Sequence, residues 1–219
     1  MEERIARGLK LGLTPGQASR LAKLRSPEAI QDFVTGLPTN FEPDGDTCWS
    51  VAETLRRRCA HCIEGAFVAA AALWMQGQRP LLLDFQAEGD DDHVVTLFKR
   101  GDHWGAISKS NHIWLRWRDP IYRNLRELAL SYFHEYVMGP EKTLRRYSAA
   151  FDLGRFDPDL WVTKKEGCWE VAEALDLTRH YSLLSSAQAR RLKPRDRMEV
   201  RAGKLTEYTA PDVRQARRY

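Results

Sequence analysis

The chain has 219 residues, of which 43% are hydrophobic and 29% are charged, and its formal net charge is +4. This amount of apolar material can form a core and excludes general disorder, and the length favours one domain with added segments. The longest apolar run, residues 66–75, is about half of what a membrane span needs, and the N-terminus lacks the apolar stretch of a secretory signal. We therefore expect a cytoplasmic protein with no membrane partner.

Basic residues are concentrated in three runs, at 56–58, 190–193 and 214–218. Solvated helix faces and tails produce such runs more often than nucleic-acid contacts do. Because neither an aromatic sheet motif nor a zinc-finger spacing accompanies them, nucleic acid is not an expected partner. The four cysteines have uneven spacings, which indicates reduced thiols rather than a disulfide framework.

Helical signals dominate the first third of the chain. Hydrophobic periodicity and N-cap residues predict helices in four segments, at 14–24, 26–34, 48–58 and 59–77. A loop rich in glycine, proline and aspartate separates the second of these helices from the third. The fourth, CAHCIEGAFVAAAALWMQG, is predicted to be the most buried because it is almost entirely small and apolar.

The middle of the chain predicts an antiparallel meander followed by helices. Strands are predicted at 78–87, 93–98, 104–108 and 112–119. The turn residues KRGDH join the second and third strands in a hairpin, and Pro120 is expected to stop the fourth. Helices are then predicted at 124–137 and 168–177, with a loop-rich region between them and a hairpin around Gly203.

This order of helices, sheet and helices predicts an α+β fold rather than alternating βαβ units. We divide the chain into an N-terminal helical segment (1–38), a core (39–150) and a C-terminal helical extension with a basic tail (151–219). The extension is expected to pack on the core.

Cys59 and Cys62 form a CxxC pair at the start of the buried helix. A structural zinc site needs four ligands, and no second pair follows at a suitable spacing. A redox CxxC typically follows a strand, whereas a helix is predicted before this one. The metal and redox roles are therefore the weaker interpretations, and no metal or cofactor is expected.

A nucleophilic role for Cys62 has more support. A thiol at a helix N-terminus faces the positive end of the helix dipole, which stabilises the thiolate, and the free N–H groups there can hold an oxyanion. His93 begins a separate predicted strand and is a suitable base. His61 precedes the nucleophile and is a candidate helix cap, since that position lacks Ser, Thr or Asp.

The order and spacing of Cys62, the apolar helix to Gly77, RPLLLDF and HVVTLF resemble the transglutaminase-like superfamily, of bacterial type, within the papain-like cysteine-enzyme fold. The resemblance covers about residues 45–125. It implies a central Cys-bearing helix packed on an antiparallel sheet, with additional flanking helices. It also implies a catalytic triad in which Cys62 attacks a peptide or amide carbonyl and forms a thioester, with His93 as general base and acid.

The third member of the triad is left open between two residues. The resemblance expects a carboxylate followed by proline, which Asp119 supplies in RWRDP. The predicted hairpin instead places His93 opposite residues 108–110 with Asn111 nearby, and Asp119 roughly 15–20 Å away. Asn111 can orient a histidine, as in Cys-His-Asn enzymes. Ser108 stands where the family has its acid, so a degenerate site remains an alternative.

Two further questions stay open. The second oxyanion donor has three candidates, Asn40, Trp49 and Gln76. The function is either that of a thiol hydrolase or acyltransferase on a peptide or amide substrate, or that of a catalytically inert binding module of the same fold. Hydrolysis and transamidation are not distinguished by any residue.

Overall fold

The computed structural model describes residues 1–209 of the chain. The α-helices are α1 (Glu2–Lys10), α2 (Pro15–Ala22), α3 (Pro27–Thr35), α4 (Val51–Arg57), α5 (Cys62–Met75), α6 (Leu125–Leu130), α7 (Trp169–Asp176), α8 (Ser186–Ala189) and α9 (Arg197–Ala202). The strands are β1 (Leu81–Ala87), β2 (His93–Arg100), β3 (His103–Ile107), β4 (Arg118–Tyr122), β5 (Val137–Met138), β6 (Glu141–Lys142), β7 (Leu144–Ser148), β8 (Phe151–Asp152) and β9 (His180–Ser182). Short 3₁₀ turns lie at Ile113–Leu115, Leu153–Arg155 and Pro158–Leu160.

The main sheet has seven strands in the order β4-β3-β2-β1-β7-β9, with β8 also paired to β1. Every pairing in it is antiparallel. The β2–β3 hairpin closes with Arg100 opposite His103, as the turn residues predict. The prediction of an α+β fold with an antiparallel sheet is thus confirmed at this level.

Side-chain alternation in the strands divides the interior into two apolar clusters. Val94 and Phe98 of β2 belong to the cluster that contains α5, whereas Val95 and Leu97 belong to a second cluster with the segment around Tyr132. The sheet is therefore covered on both faces, as the alternation of side chains along a strand requires. Helix α5 is buried almost throughout its length, which agrees with the sequence prediction.

Small residues in α5 let its neighbours approach closely, as the sequence predicts. Gly65 shows the constraint most clearly, because a Cβ added there would lie 2.4 Å from the Cβ of Lys109. The segment after β3 therefore packs directly on the second turn of α5. This contact fixes the position of Lys109 and its neighbours relative to the helix that begins at Cys62.

The flanking segments share this core. Ile30 of α3 and Val171 of α7 belong to the same buried cluster as α5. Residues from both 1–38 and 151–209 therefore pack on the segment 39–150. Within the described part of the chain, no helix is long and apolar enough to cross a bilayer.

Several predicted elements differ from the structure. The strand predicted over 112–119 is replaced by a 3₁₀ turn and by β4, and β4 includes Pro120. Proline is tolerated there because β4 is an edge strand of the sheet. The hairpin predicted around Gly203 is instead helix α9, which Asp196 and Glu199 cap reciprocally. The basic run at 214–218 lies outside the described residues.

The region after β4 also departs from the sequence prediction. Helix α6 ends at Leu130, although a helix to residue 137 was expected. The buried aromatic side chains of Tyr132 and Tyr136 lie in the turns that follow it. Strand β7 was expected to be loop, yet it pairs with β1 on one side and β9 on the other.

Candidate active site

Cys62 is the first residue of α5 and His93 is the first residue of β2. Thr96 of β2 donates a hydrogen bond of 2.8 Å to the carbonyl of Ala66, one turn into α5. This bond ties the two elements together close to their first residues. Cys62 and His93 accordingly line one cavity, together with the acidic loop before β2 and the segment after β3.

The His93 ring is held by Ser108. Its Nε2 lies 2.8 Å from Ser108 Oγ, and that hydroxyl donates to the carbonyl of Leu115 at 2.7 Å. A hydroxyl has one proton to donate, so Ser108 Oγ must accept from His93 Nε2–H. The remaining ring nitrogen, Nδ1, is then the one that can exchange a proton with a substrate or with Cys62.

Gln31 of α3 holds the backbone of Ser108 on both sides. Its amide donates to the Ser108 carbonyl at 2.9 Å, and its carbonyl accepts from the Ser108 N–H at 2.9 Å. Gln31 is buried, as are the apolar residues Ile30 and Val34 of the same helix. The only sequence signal for this role of Gln31 was a polar residue at a buried position of a helix. That signal does not identify Ser108, which lies 77 residues away, as the partner.

Neither Asn111 nor Asp119 bonds to the His93 ring within the described residues. Asn111 lines the cavity, but its amide and carbonyl groups bond to the backbone of Tyr208 at 2.9 and 2.8 Å. Asp119 lies on the edge strand β4 and accepts from the indole of Trp117 at 3.0 Å. Ser108 makes the contact with His93 that was expected of one of these residues.

The Cys62 thiol lies between two histidines. Burial by itself would raise its pKa, but hydrogen bonds from His61 and His93, together with their charges, lower the pKa to about 5. His61 Nδ1 lies 3.9 Å from Cys62 Sγ. The N-terminus of α5 adds a partial positive charge at the same point. The site therefore favours a thiolate at neutral pH.

The other cysteines lie in different surroundings. Cys59 is half-buried, and burial raises the pKa of its thiol. Cys48 and Cys168 are buried in the core, where the Cys168 N–H donates to the Cys48 carbonyl at 2.7 Å. All four thiols are free, and residues 1–209 contain no group of three or more side chains arranged to hold a metal ion.

Glu64 caps the first turn of α5 from within the helix. Its carboxylate is fully buried and accepts from the backbone N–H groups of His61 at 3.0 Å and Trp49 at 3.1 Å. Thr47 Oγ1 donates to the same carboxylate at 2.8 Å. In the sequence, Glu64 lies three residues after His61, the residue that directly precedes α5. A glutamate at that spacing is one half of the capping-box pattern, and it was the sequence signal for this role.

Two of the three oxyanion candidates are occupied elsewhere. The Asn40 amide donates to Thr47 and Glu64, and the Gln76 amide donates to the Leu24 carbonyl at the far end of α5. The indole ring of Trp49 lies beneath the guanidinium of Arg57 at 4.3 Å. None of the three lines the cavity.

Lys109 is a cavity residue that the sequence analysis missed. Its side chain is buried, its ammonium donates to the Leu37 carbonyl at 2.5 Å, and burial lowers its pKa to about 8. A lysine directly after a predicted strand carries no signal of burial.

Comparison with models of known protein families and with curated proteins finds no match for this chain.

Proposed function

We propose that the protein is a cysteine-dependent hydrolase or acyltransferase that acts on a peptide or amide carbonyl through a thioester, in a fold of papain and transglutaminase type. The observation that carries this proposal is the shared cavity of Cys62 and His93, with the thiol at a helix N-terminus. The lowered thiol pKa supports it, because the thiolate is the nucleophilic form.

In the acylation step the Cys62 sulfur forms a bond to the carbonyl carbon of the substrate. The tetrahedral oxyanion lies next to the N–H groups of the first turn of α5, which have no partners within the helix. When the bond to the leaving group breaks, protonated His93 gives the Nδ1 proton to the departing nitrogen or oxygen. The products of this step are the thioester on Cys62 and neutral His93.

In the deacylation step neutral His93 takes a proton from water or from an amine. The resulting nucleophile attacks the thioester carbon, the C–S bond breaks, and the thiolate of Cys62 and protonated His93 are restored. Ser108 keeps the His93 ring in one orientation and tautomer during both steps. Water as the acceptor gives hydrolysis, and an amine gives acyl transfer.

Acylation of Cys62 by a small activated ester tests this proposal. We expect p-nitrophenyl acetate to release a burst of one nitrophenolate per chain, and peptide mapping by mass spectrometry to find the acetyl group on Cys62. The burst should be lost in Cys62→Ala and retained in Cys59→Ala, which removes the less ionised thiol of the same segment.

The location of the acetyl group decides the outcome. An acetyl group on Cys62 that hydroxylamine removes would establish the thioester. A folded protein that is not acetylated, or is acetylated only on lysines or on Cys59, would overturn the proposal and favour an inert binding module.

A further inference from the structure

His61 has a more polar environment than His93. Its Nε2 lies 2.9 Å from the carbonyl oxygen of Thr47, 3.4 Å from a carboxylate oxygen of Glu64 and 3.5 Å from one of Glu42. A carbonyl oxygen only accepts hydrogen bonds, so Nε2 carries a proton. Nδ1 is the nitrogen that faces Cys62 Sγ.

The Cys62 thiolate and the Glu64 carboxylate make the imidazolium form of His61 the stable one. Burial by itself would lower the pKa of His61, but hydrogen bonds to the Cys62 thiolate and to Glu64 raise it to about 11. With protons on both nitrogens, Nδ1–H points at a thiolate and Nε2–H points at three oxygens. Each polar atom of the ring then has a complementary partner.

The ring of His93 is held by a neutral partner. Its Nε2 donates to the neutral hydroxyl of Ser108. Within residues 1–209, the ion pairs made by histidines are those of His61 and of His180 with Asp84. Among the described residues, the carboxylates within ion-pair distance of a histidine of this cavity are those of Glu42 and Glu64, and both lie beside His61. The Ser108 hydroxyl fixes the orientation of the His93 ring and brings no charge to it.

We propose that His61 is a second catalytic histidine, a fixed counter-ion that keeps Cys62 ionised, so that His93 alone carries the proton that moves. This rests on the proposed function for its role in turnover. His61 keeps both of its protons in acylation and in deacylation. The thiolate therefore remains available whether His93 is protonated or neutral. The negative charge that the acid of a triad would provide is provided here by Glu64, which acts on Cys62 through His61.

Other titratable groups also line this cavity. They are the three aspartates at 90–92, Lys109, His112, Glu135 and Tyr136. The acidic groups among them disfavour a thiolate, and Lys109 favours it. None of them has a bond to Cys62 Sγ recorded within residues 1–209, whereas His61 does.

A thiolate titration tests the division of roles. The ultraviolet absorbance of the thiolate is measured against pH in the wild type, His61→Gln and His93→Gln, each corrected with its own Cys62→Ser background. We expect the midpoint to rise by about two pH units or more in His61→Gln, as loss of an adjacent opposite charge predicts. The rise in His93→Gln should be smaller. His61→Lys, which keeps a cation, should restore much of the lowering.

The outcomes separate this inference from the proposed function, because the titration needs no substrate. An equal or larger rise in His93→Gln than in His61→Gln overturns the role of His61, even if Cys62 forms a thioester. Failure of His61→Lys to lower the midpoint below that of His61→Gln also overturns it. If the titration agrees but no acyl group is captured, the counter-ion stands and the hydrolase or acyltransferase proposal fails.

Discussion

Replacement of His93 by glutamine is expected to slow acyl transfer from an activated ester by about 10²- to 10⁴-fold, the usual contribution of a general base. Glutamine keeps the size and a donor toward Ser108 Oγ but cannot accept or release a proton. The loss should appear in kcat more than in KM, because a proton transfer is needed only in the transition state. The measurement is steady-state hydrolysis of p-nitrophenyl acetate, with circular dichroism to verify the fold.

His112→Gln is the matched control for this change. His112 lines the same cavity but is exposed, and within residues 1–209 its hydrogen bonds are made by its backbone, to Ser110 and Leu115. The control variant should keep activity within a few-fold of the wild type. Ser108→Ala should lie between the two, because the base remains while its ring loses its fixed partner. Equal rates for the His93 and His112 variants would contradict the role of His93.

Replacement of Glu64 by glutamine is expected to lower the free energy of unfolding by about 3 kcal/mol, as breaking a buried charge pair does. The Glu64 carboxylate is fully buried and accepts from Thr47, Trp49 and the backbone of His61. Glutamine would place an NH₂ group against one of these donors and leave the His61 cation without its counter-charge. Urea denaturation of both proteins measures the difference.

The pH dependence of this loss has a definite sign. Burial by itself would raise the pKa of Glu64, but the hydrogen bond and charge of His61 lower it below the usual glutamate value. A carboxyl with a lowered folded-state pKa stabilises the fold above its unfolded pKa, and the contribution disappears as the pH falls through the folded value. The difference in free energy of unfolding between the wild type and Glu64→Gln should therefore become smaller at acidic pH.

Glu28→Gln provides the surface control for the glutamate variant. Glu28 pairs with Arg100 at 2.6 Å, and both side chains are about half exposed. An exposed pair contributes about 0–1 kcal/mol, so this variant should unfold close to the wild type. A Glu64→Gln protein as stable as Glu28→Gln would show that the network around α5 contributes no more than a surface pair.

The position of the candidate site could be predicted from local sequence rules. The Gly-Ala helix after Cys62 and the KRGDH turn each depend on neighbouring residues, and a two-residue turn fixes the register of a hairpin. That register, with Thr96 opposite Ile107, brings the end of β3 to His93. The same rule argued against a nearby position for Asp119, although the resemblance favoured that residue, and the choice between Asp119 and Asn111 stayed open.

The partners within the site could not be predicted because they join residues that are distant in sequence. Gln31 reaches Ser108 from a helix that precedes the whole sheet, and Tyr208 occupies the polar groups of Asn111 from the other end of the chain. Hydrophobic periodicity assigns faces to helices and strands, but it does not pair one polar side chain with another. Strand β7 was not predicted because its exposed residues are basic and because the residues on either side of it have the composition of a loop.

The ionisation of Cys62 is tested most directly by its alkylation relative to Cys59 in the wild-type protein. Iodoacetamide is applied at about pH 5.5, where a thiol of ordinary pKa is almost fully protonated, and each cysteine is quantified by mass spectrometry. Cys62 should react more than about tenfold faster than Cys59, even though thiolates of low pKa are intrinsically weaker nucleophiles. Slow and equal alkylation of Cys59 and Cys62 would contradict a thiolate held between two histidines.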